Sequence, residues 1–250
     1  MNSLAMVTVR TSSTRLPEKC FQPLVADLSL VQVVVRRATR IGCQVVIATS
    51  DDPSDNRLEE VSLTEGVKIF RGALSNKIKR WTDCMAEFEA SEAVIVDGDD
   101  PTFDFNVGRR ALDLLRSGKE FIVPSPEMTP GFFTYGFSFH AMKRLCEAVP
   151  DPGTDTDVIT EFVARSGLPR TEVSAKPEET TGHGLRLTVD YPEDLDFYRA
   201  LFQHVDYLDP GPVVVRTALE HNLGGLNWHR HAEFLDNQAA FNQKVAETDG

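Results

Sequence analysis

The chain has 250 residues, 41% of them hydrophobic and 26% charged, enough to bury the core of one large α/β domain or two small ones. Its 26 Lys and Arg against 38 Asp and Glu give a formal net charge of −12, a field that repels polyphosphate backbones and argues against coating a nucleic acid. No run approaches the ~18 consecutive apolar residues of a spanning helix, and the opening MNSLAMVTVRTSSTR lacks the basic-then-apolar order of a secretory signal, so a soluble cytoplasmic protein is expected.

In chain order, short apolar runs alternate with segments of helical period. Strands are expected at 4–9, 44–49, 67–70, 93–97 and 121–124, with helices at 28–41, 56–65, 77–90 and 107–117 between them. This alternation predicts βαβ units and a mainly parallel sheet flanked by helices. Further on, a strand at 135–139 runs into a helix at 141–148, and the loop DPGTDT ends in Thr156 as the expected N-cap of a helix at 157–166. Strands follow at 170–175 and 185–189. Pro192 then opens a helix at its first turn, and the tail from 213 reads as two helices. The expected division is a main domain over 1–209, with a central segment at 125–180, and a C-terminal helical extension over 210–250. The four cysteines, Cys20, Cys43, Cys84 and Cys146, form no C-x-x-C pair and read as reduced thiols.

Chemistry concentrates at two strand ends. The segment Arg10-Thr-Ser-Ser-Thr-Arg-Leu-Pro-Glu-Lys19 follows the first strand directly and carries three cations and four hydroxyls with no hydrophobic period. At the carboxyl end of a parallel strand such a loop suits a polyphosphate, although it matches neither G-x-x-x-x-G-K-[ST] nor G-x-G-x-x-G, and a plain solvated loop fits the same composition. Asp97-Gly-Asp-Asp-Pro101 follows the buried run AVIVD. Its crowded carboxylates suit Mg²⁺ or Mn²⁺, though D-G is also ordinary turn chemistry. A strand at 185–189 would carry Asp190 to the same edge as Asp99, where the two could share a metal. His221, His229 and His231 lack a third partner and read as structural. Phe132, Phe133, Tyr135, Phe137 and Phe139 read as core or a subunit interface.

Taken in order, these motifs resemble the cytidylyltransferases of bacterial surface polysaccharide synthesis, in the spore-coat polysaccharide, CMP-KDO synthetase and acylneuraminate cytidylyltransferase group. The signs are VRTSSTRLPEK, Ala48-Thr49-Ser50, Phe70-Arg71-Gly72 with Arg80, Gly98-Asp99-Asp100-Pro101, and the run from Arg186 to Asp194, together spanning roughly residues 4–205. The resemblance implies a Rossmann-like fold of the nucleotide-diphospho-sugar transferase type. It also implies transfer of CMP from CTP to an anionic sugar acid with release of pyrophosphate. By family position Arg10, Ser12, Ser13, Arg15 and Lys19 hold the triphosphate, Ala48, Thr49 and Ser50 sit by the cytosine and ribose, and Arg71 and Arg80 also bind the nucleotide. Lys19, Arg15 and Asp99 are the implied catalytic residues, and Asp99 and Asp190 the ligands of Mg²⁺, with Mn²⁺ as substitute. A homodimer is implied as well.

Two departures stand out. Glu18 replaces the glycine of the family's R-L-P-G-K, so it either reshapes the loop or points outward. The central Thr129-Pro-Gly-Phe-Phe-Thr-Tyr-Gly-Phe-Ser138 lacks the family's acidic residues, which leaves open an unusual acceptor such as a phosphonate. The general base is unassigned, with Asp100 or a metal-bound hydroxide as candidates. Two rival readings remain on the residues alone: a nucleotide-sugar glycosyltransferase using Asp97-Gly-Asp99 as D-x-D, and a non-catalytic nucleotide-binding paralogue.

Overall fold

In the computed structural model, which describes residues 2–12, 15–149, 151, 153–156, 159–180 and 184–236, the alternating runs become a seven-stranded sheet with helices on both faces. The chain runs through β1 (Ser3–Thr8), a hairpin of β2 (Pro23–Val25) and β3 (Leu28–Ser29), α1 (Leu30–Thr39), β4 (Gln44–Ser50), α2 (Arg57–Glu65), β5 (Lys68–Gly72) and α3 (Lys77–Glu87). It continues through β6 (Glu92–Asp97), α4 (Phe105–Arg116), β7 (Phe121–Pro124), β8 (Tyr135–Ser138), α5 (Phe139–Glu147), α6 (Thr160–Ser166), β9 (Arg170–Val173), α7 (Pro192–Leu201) and α8 (Gly211–Glu220). The large sheet has the order β5-β4-β1-β6-β8-β7-β9, with β8 antiparallel to both neighbours and the other pairs parallel. The expected mainly parallel α/β architecture is the one observed.

Period-two alternation splits the central strand between two cores. Ala5 and Val7 of β1 pack with residues of α1, α2, α4, α7 and α8, whereas Leu4 and Met6 pack with α3, α5 and α6. Strand order reverses at β1: the chain moves outward to β4 and β5, then returns to place β6 on the other side. Such a reversal opens a crevice at the carboxyl ends of the two strands. The loop after β1 and the acidic turn after β6 meet there.

Several boundaries differ from expectation for identifiable reasons. Residues 185–189 form no strand. The Leu187 carbonyl accepts from the hydroxyls of Thr102 (3.4 Å) and Tyr198 (2.7 Å), and the Arg186 carbonyl from Asn227 (2.9 Å). Side chains hold this extended segment where a ladder was expected. Thr156 caps a different helix from the one foreseen: its hydroxyl accepts the Lys77 amide at 2.7 Å, at the start of α3. The helix foreseen at 157–166 begins at Thr160, and residues 157 and 158 lie outside the described set. Helix α4 starts early because the buried Asp104 carboxylate accepts the amides of Asn106 (2.8 Å) and Val107 (2.9 Å). The same carboxylate accepts the Gly211 amide at 2.6 Å, which draws α8 onto the main core. Two 3-10 turns, Leu223–Leu226 and Trp228–Arg230, then lead to a helical stretch at 231–236.

Phe132, Phe133 and Phe137 are buried, and Phe137 stacks on Phe121 with centroids 4.5 Å apart. These three rings are core and form no exposed patch. The four cysteines are free thiols. No helix among the described residues is long and apolar enough to cross a membrane.

Candidate active site

The acidic turn is set against β1 by its glycine. Thr8 pairs with Asp97 in the register of β1 and β6, and the Gly98 amide donates to the Thr8 carbonyl at 2.9 Å. A Cβ on Gly98 would sit 2.7 Å from that of Val9, so this approach excludes every other residue. The turn leaves the Asp99 side chain partly exposed, while its carbonyl accepts the Val189 amide at 2.9 Å. That one backbone bond brings the segment carrying Asp190 against the turn carrying Asp99. A shared sheet edge is not what joins them, because the second segment lies outside the sheet.

Two cations of the loop after β1 converge on these carboxylates. Lys19 Nζ donates to Asp99 Oδ2 (2.7 Å) and to the Val189 carbonyl (2.7 Å), and lies 3.4 Å from Asp190 Oδ1. Arg15 donates to Asp190 Oδ1. From behind, Arg186 Nη2 donates to Asp190 Oδ2 at 2.5 Å. Burial opposes ionisation of Asp190, yet Lys19, Arg15 and Arg186 hold its carboxyl below the ordinary value. Burial likewise opposes the charge on Lys19, and Asp99 with Asp190 outweighs it and raises the ammonium above its usual value. Both partners are therefore charged at neutral pH.

The neighbouring acids behave differently. Burial, with the negative charge of Asp99 added, pushes Asp97 up to about 6. Burial and the charges of Asp99 and Asp97 raise Asp100 well above the carboxylate range. A cation at this turn would relieve that repulsion, and hard carboxylate oxygens suit Mg²⁺ or Mn²⁺. No group of three His, Cys, Asp or Glu able to hold a metal occurs among the described residues. Two carboxylates completed by substrate phosphates is a common arrangement for Mg²⁺, so Asp99 and Asp190 fit the ion in the presence of a nucleotide.

A buried platform carries Asp190. Asp194 is fully buried and accepts from Arg186 Nε (3.0 Å), the amides of Asp190 (2.8 Å) and Tyr191 (2.9 Å), and Asn227 Nδ2 (2.9 Å). The run from Arg186 to Asp194 is a motif by resemblance, but no role for Arg186 or Asp194 follows from its spacing, and Asn227 lies 33 residues beyond Asp194.

Glu18 lies in a backbone conformation that glycine adopts without strain. Its φ is 53° and its ψ 26°, in the left-handed region. Its carboxylate turns outward to Arg57 at 3.1 Å, and that guanidinium lies 4.0 Å above the Phe21 ring. The side chain therefore points outward, and the backbone bears strain at this position. Replacing Glu18 with glycine is expected to raise unfolding free energy by about 0.5–1 kcal/mol. Relief of a left-handed non-glycine residue at roughly 1–2 kcal/mol outweighs an exposed ion pair and the added chain entropy. Urea unfolding of Glu18→Gly beside Glu18→Ala checks this, and a less stable glycine variant would overturn it.

The other expected site residues divide. Ser12 is exposed beside the loop cations, and Ser13 lies outside the described residues. Arg10 donates to the Leu74 carbonyl (2.8 Å), and the buried Arg80 to that of Ala73 (2.6 Å). Arg71 reaches the Ser50 carbonyl (3.1 Å), Asn56 (2.6 Å) and Glu59 (2.6 Å), bracing the turn after β4. Ala48, Thr49 and Ser50 end β4 fully buried, with both hydroxyls turned to Asp55. Asp55, which carried no expectation, also accepts the amide and hydroxyl of Thr11, each at 2.7 Å. It binds the start of the β1 loop to the end of β4. Burial alone would raise its carboxyl, but the hydrogen bonds from Ser50, Thr11 and Thr49 hold it low. His221 stacks on His204 at 3.8 Å and His231 on Trp228 at 4.4 Å, away from the acidic turn in sequence and in partners.

Fold and site together set a cationic loop against acidic strand ends in the crevice of a mainly parallel α/β sheet. Residues 4–123 match the cytidylyltransferase family, which bears out the resemblance carried by the motifs. The spore coat polysaccharide biosynthesis protein SpsF of Bacillus subtilis is 26% identical over 210 residues, covering 80% of this chain and 86% of that protein. A cytidylyltransferase structure from Leptospira borgpetersenii superposes with TM-score 0.76 at 19% identity, over 89% of this chain and 95% of that one. A CMP:2-keto-3-deoxy-manno-octonic acid synthetase complexed with CTP superposes with TM-score 0.61 at 17% identity, over 81% and 99%.

Proposed function

We propose that the protein transfers CMP from CTP to an anionic acceptor, a sugar acid of the nonulosonic or KDO-like kind, and releases pyrophosphate. The observation that carries this reading is the convergence of Lys19 and Arg15 on Asp99 and Asp190 at the sheet's reversal point, in a chain matching the cytidylyltransferases. The relative SpsF, named for spore coat polysaccharide biosynthesis, supports an acceptor from surface-polysaccharide chemistry. CTP is a cytoplasmic metabolite, so the reading carries a cytoplasmic location. Pairing of two copies through the central segment belongs to it by resemblance.

In this reading Arg15 and Lys19 bind the β- and γ-phosphates, with Arg10, Ser12 and Ser13 lining the same loop. The turn at Ala48, Thr49 and Ser50, braced by Arg71 and Asp55, borders the cytidine, and Arg80 supports the adjoining loop. An acceptor hydroxyl attacks the α-phosphorus, the bond to the bridging oxygen breaks with its electron pair leaving on pyrophosphate, and the hydroxyl proton passes to solvent. Mg²⁺, held by Asp99 and Asp190, supplies neutralisation of phosphate charge when bound. The side chains contribute positioning and fixed positive charge, which is most of what phosphoryl transfer requires.

Pyrophosphate release from CTP, UTP, ATP and GTP with Mg²⁺, against a panel of sugar acids and phosphonates, tests the proposal. Acceptor-dependent release with CTP alone is expected. Release with another nucleotide, or absence of CTP binding, would overturn it.

A further inference from the structure

We infer that Lys19 serves as an internal counter-cation that occupies the divalent-ion position until a nucleotide arrives, so that metal enters with the triphosphate and not before it. This rests on the proposed reading of Asp99 and Asp190 as metal ligands. The Lys19 ammonium lies among three oxygens, Asp99 Oδ2 (2.7 Å), the Val189 carbonyl (2.7 Å) and Asp190 Oδ1 (3.4 Å), with its side chain only 14% exposed. The remaining capacity of Asp190 is engaged by Arg15 on Oδ1 and by Arg186 on Oδ2. A divalent ion needs these same lone pairs at about 2.0–2.1 Å, the Mg²⁺–oxygen distance. An ammonium already bonded to them blocks the position sterically and repels the ion.

The anchoring of the loop shows which part is free to move. Lys19 begins a 3-10 turn in which its amide donates to the Leu16 carbonyl (3.2 Å) and its own carbonyl accepts the Gln22 amide (3.1 Å). The backbone is thus fixed on both sides of a four-carbon stem that can swing. Triphosphate oxygens offer Lys19 and Arg15 a stronger anionic partner. Their departure frees the carboxylates, and the phosphate oxygens add to the two that Asp99 and Asp190 supply. Metal and nucleotide then bind with positive coupling, each raising the other's affinity by the same factor.

The test is Mn²⁺ binding without nucleotide, read from the free-ion EPR signal for wild type, Lys19→Gln, Lys19→Arg and each with Asp190→Asn, after circular dichroism melts establish folding. Lys19→Gln is expected to bind Mn²⁺ about tenfold or more tightly than wild type, because one blocking charge is gone. Lys19→Arg keeps the charge and should remain as weak as wild type, and Asp190→Asn should abolish the gain. Equal affinity in wild type and Lys19→Gln, reduced in both by Asp190→Asn, overturns the inference and leaves the metal ligands standing. Affinity indifferent to Asp190→Asn in every background overturns the inference and the ligand assignment together.

Discussion

Asp99→Ala will lower CTP-dependent pyrophosphate release by about 10²–10³-fold, the range for removing one group that stabilises charge developing in a transition state. Folding stability should change by less than about 0.5 kcal/mol, as for a surface position without a structural role. The separation follows from placement. Asp99 sits on a turn with its side chain 31% exposed, and its backbone carbonyl, which holds Val189, survives the substitution. Removing its charge also eases Asp97 and Asp100, both raised by its proximity. Lys19 retains the Val189 carbonyl and Asp190. A steady-state assay beside urea unfolding reads both quantities. Turnover within threefold of wild type would remove Asp99 from the mechanism.

Asp194→Ala should have the opposite profile, with stability failing first. Its carboxylate is fully buried and serves four donors, including the equally buried Arg186 guanidinium. Breaking a buried ion pair from one side costs about 3–5 kcal/mol, because the remaining charge has lost its counterpart. Turnover should fall with it, since Arg186 and the Asp190 amide together orient Asp190 toward Lys19. Asp194→Asn keeps one acceptor oxygen and should lie between the two. Urea midpoints at constant m-value measure the series. A loss under about 1 kcal/mol for alanine would mean that water replaces the carboxylate and that the platform is not structural.

The candidate site was legible in uneven portions. The cationic segment with Arg15 and Lys19, and the acidic turn with Asp99, stood out because each follows a buried run and interrupts its pattern with charge. The pattern places Asp190 at the end of a strand, whereas the structure brings it to Asp99 on an extended segment bonded through Val189. Thr49 and Ser50 were located correctly at the end of β4, but their hydroxyls are engaged by Asp55. An aspartate after a Pro-Ser pair looks like ordinary helix-start chemistry, so nothing local distinguishes Asp55 from Asp52, which does cap the 3-10 turn beside it. The Glu18 departure was visible as a substitution. Only the structure shows that Glu18 sits in a left-handed turn and that its carboxylate accepts from Arg57.

The sequence by itself determined the alternation of strands and helices, the mainly parallel sheet, and the two strand-end loops that carry charge. Periodicity, capping and strand-end composition are properties of short windows and survive without any knowledge of partners. Tertiary structure alone decided which groups meet: Lys19 with Asp190 across 171 residues, Thr11 with Asp55 across 44, and Asp104 with the first turn of α8 across 107. Those pairings depend on strand order and on which side of β1 each connection crosses. No local window encodes that choice, because it is made by burying all the apolar faces at once.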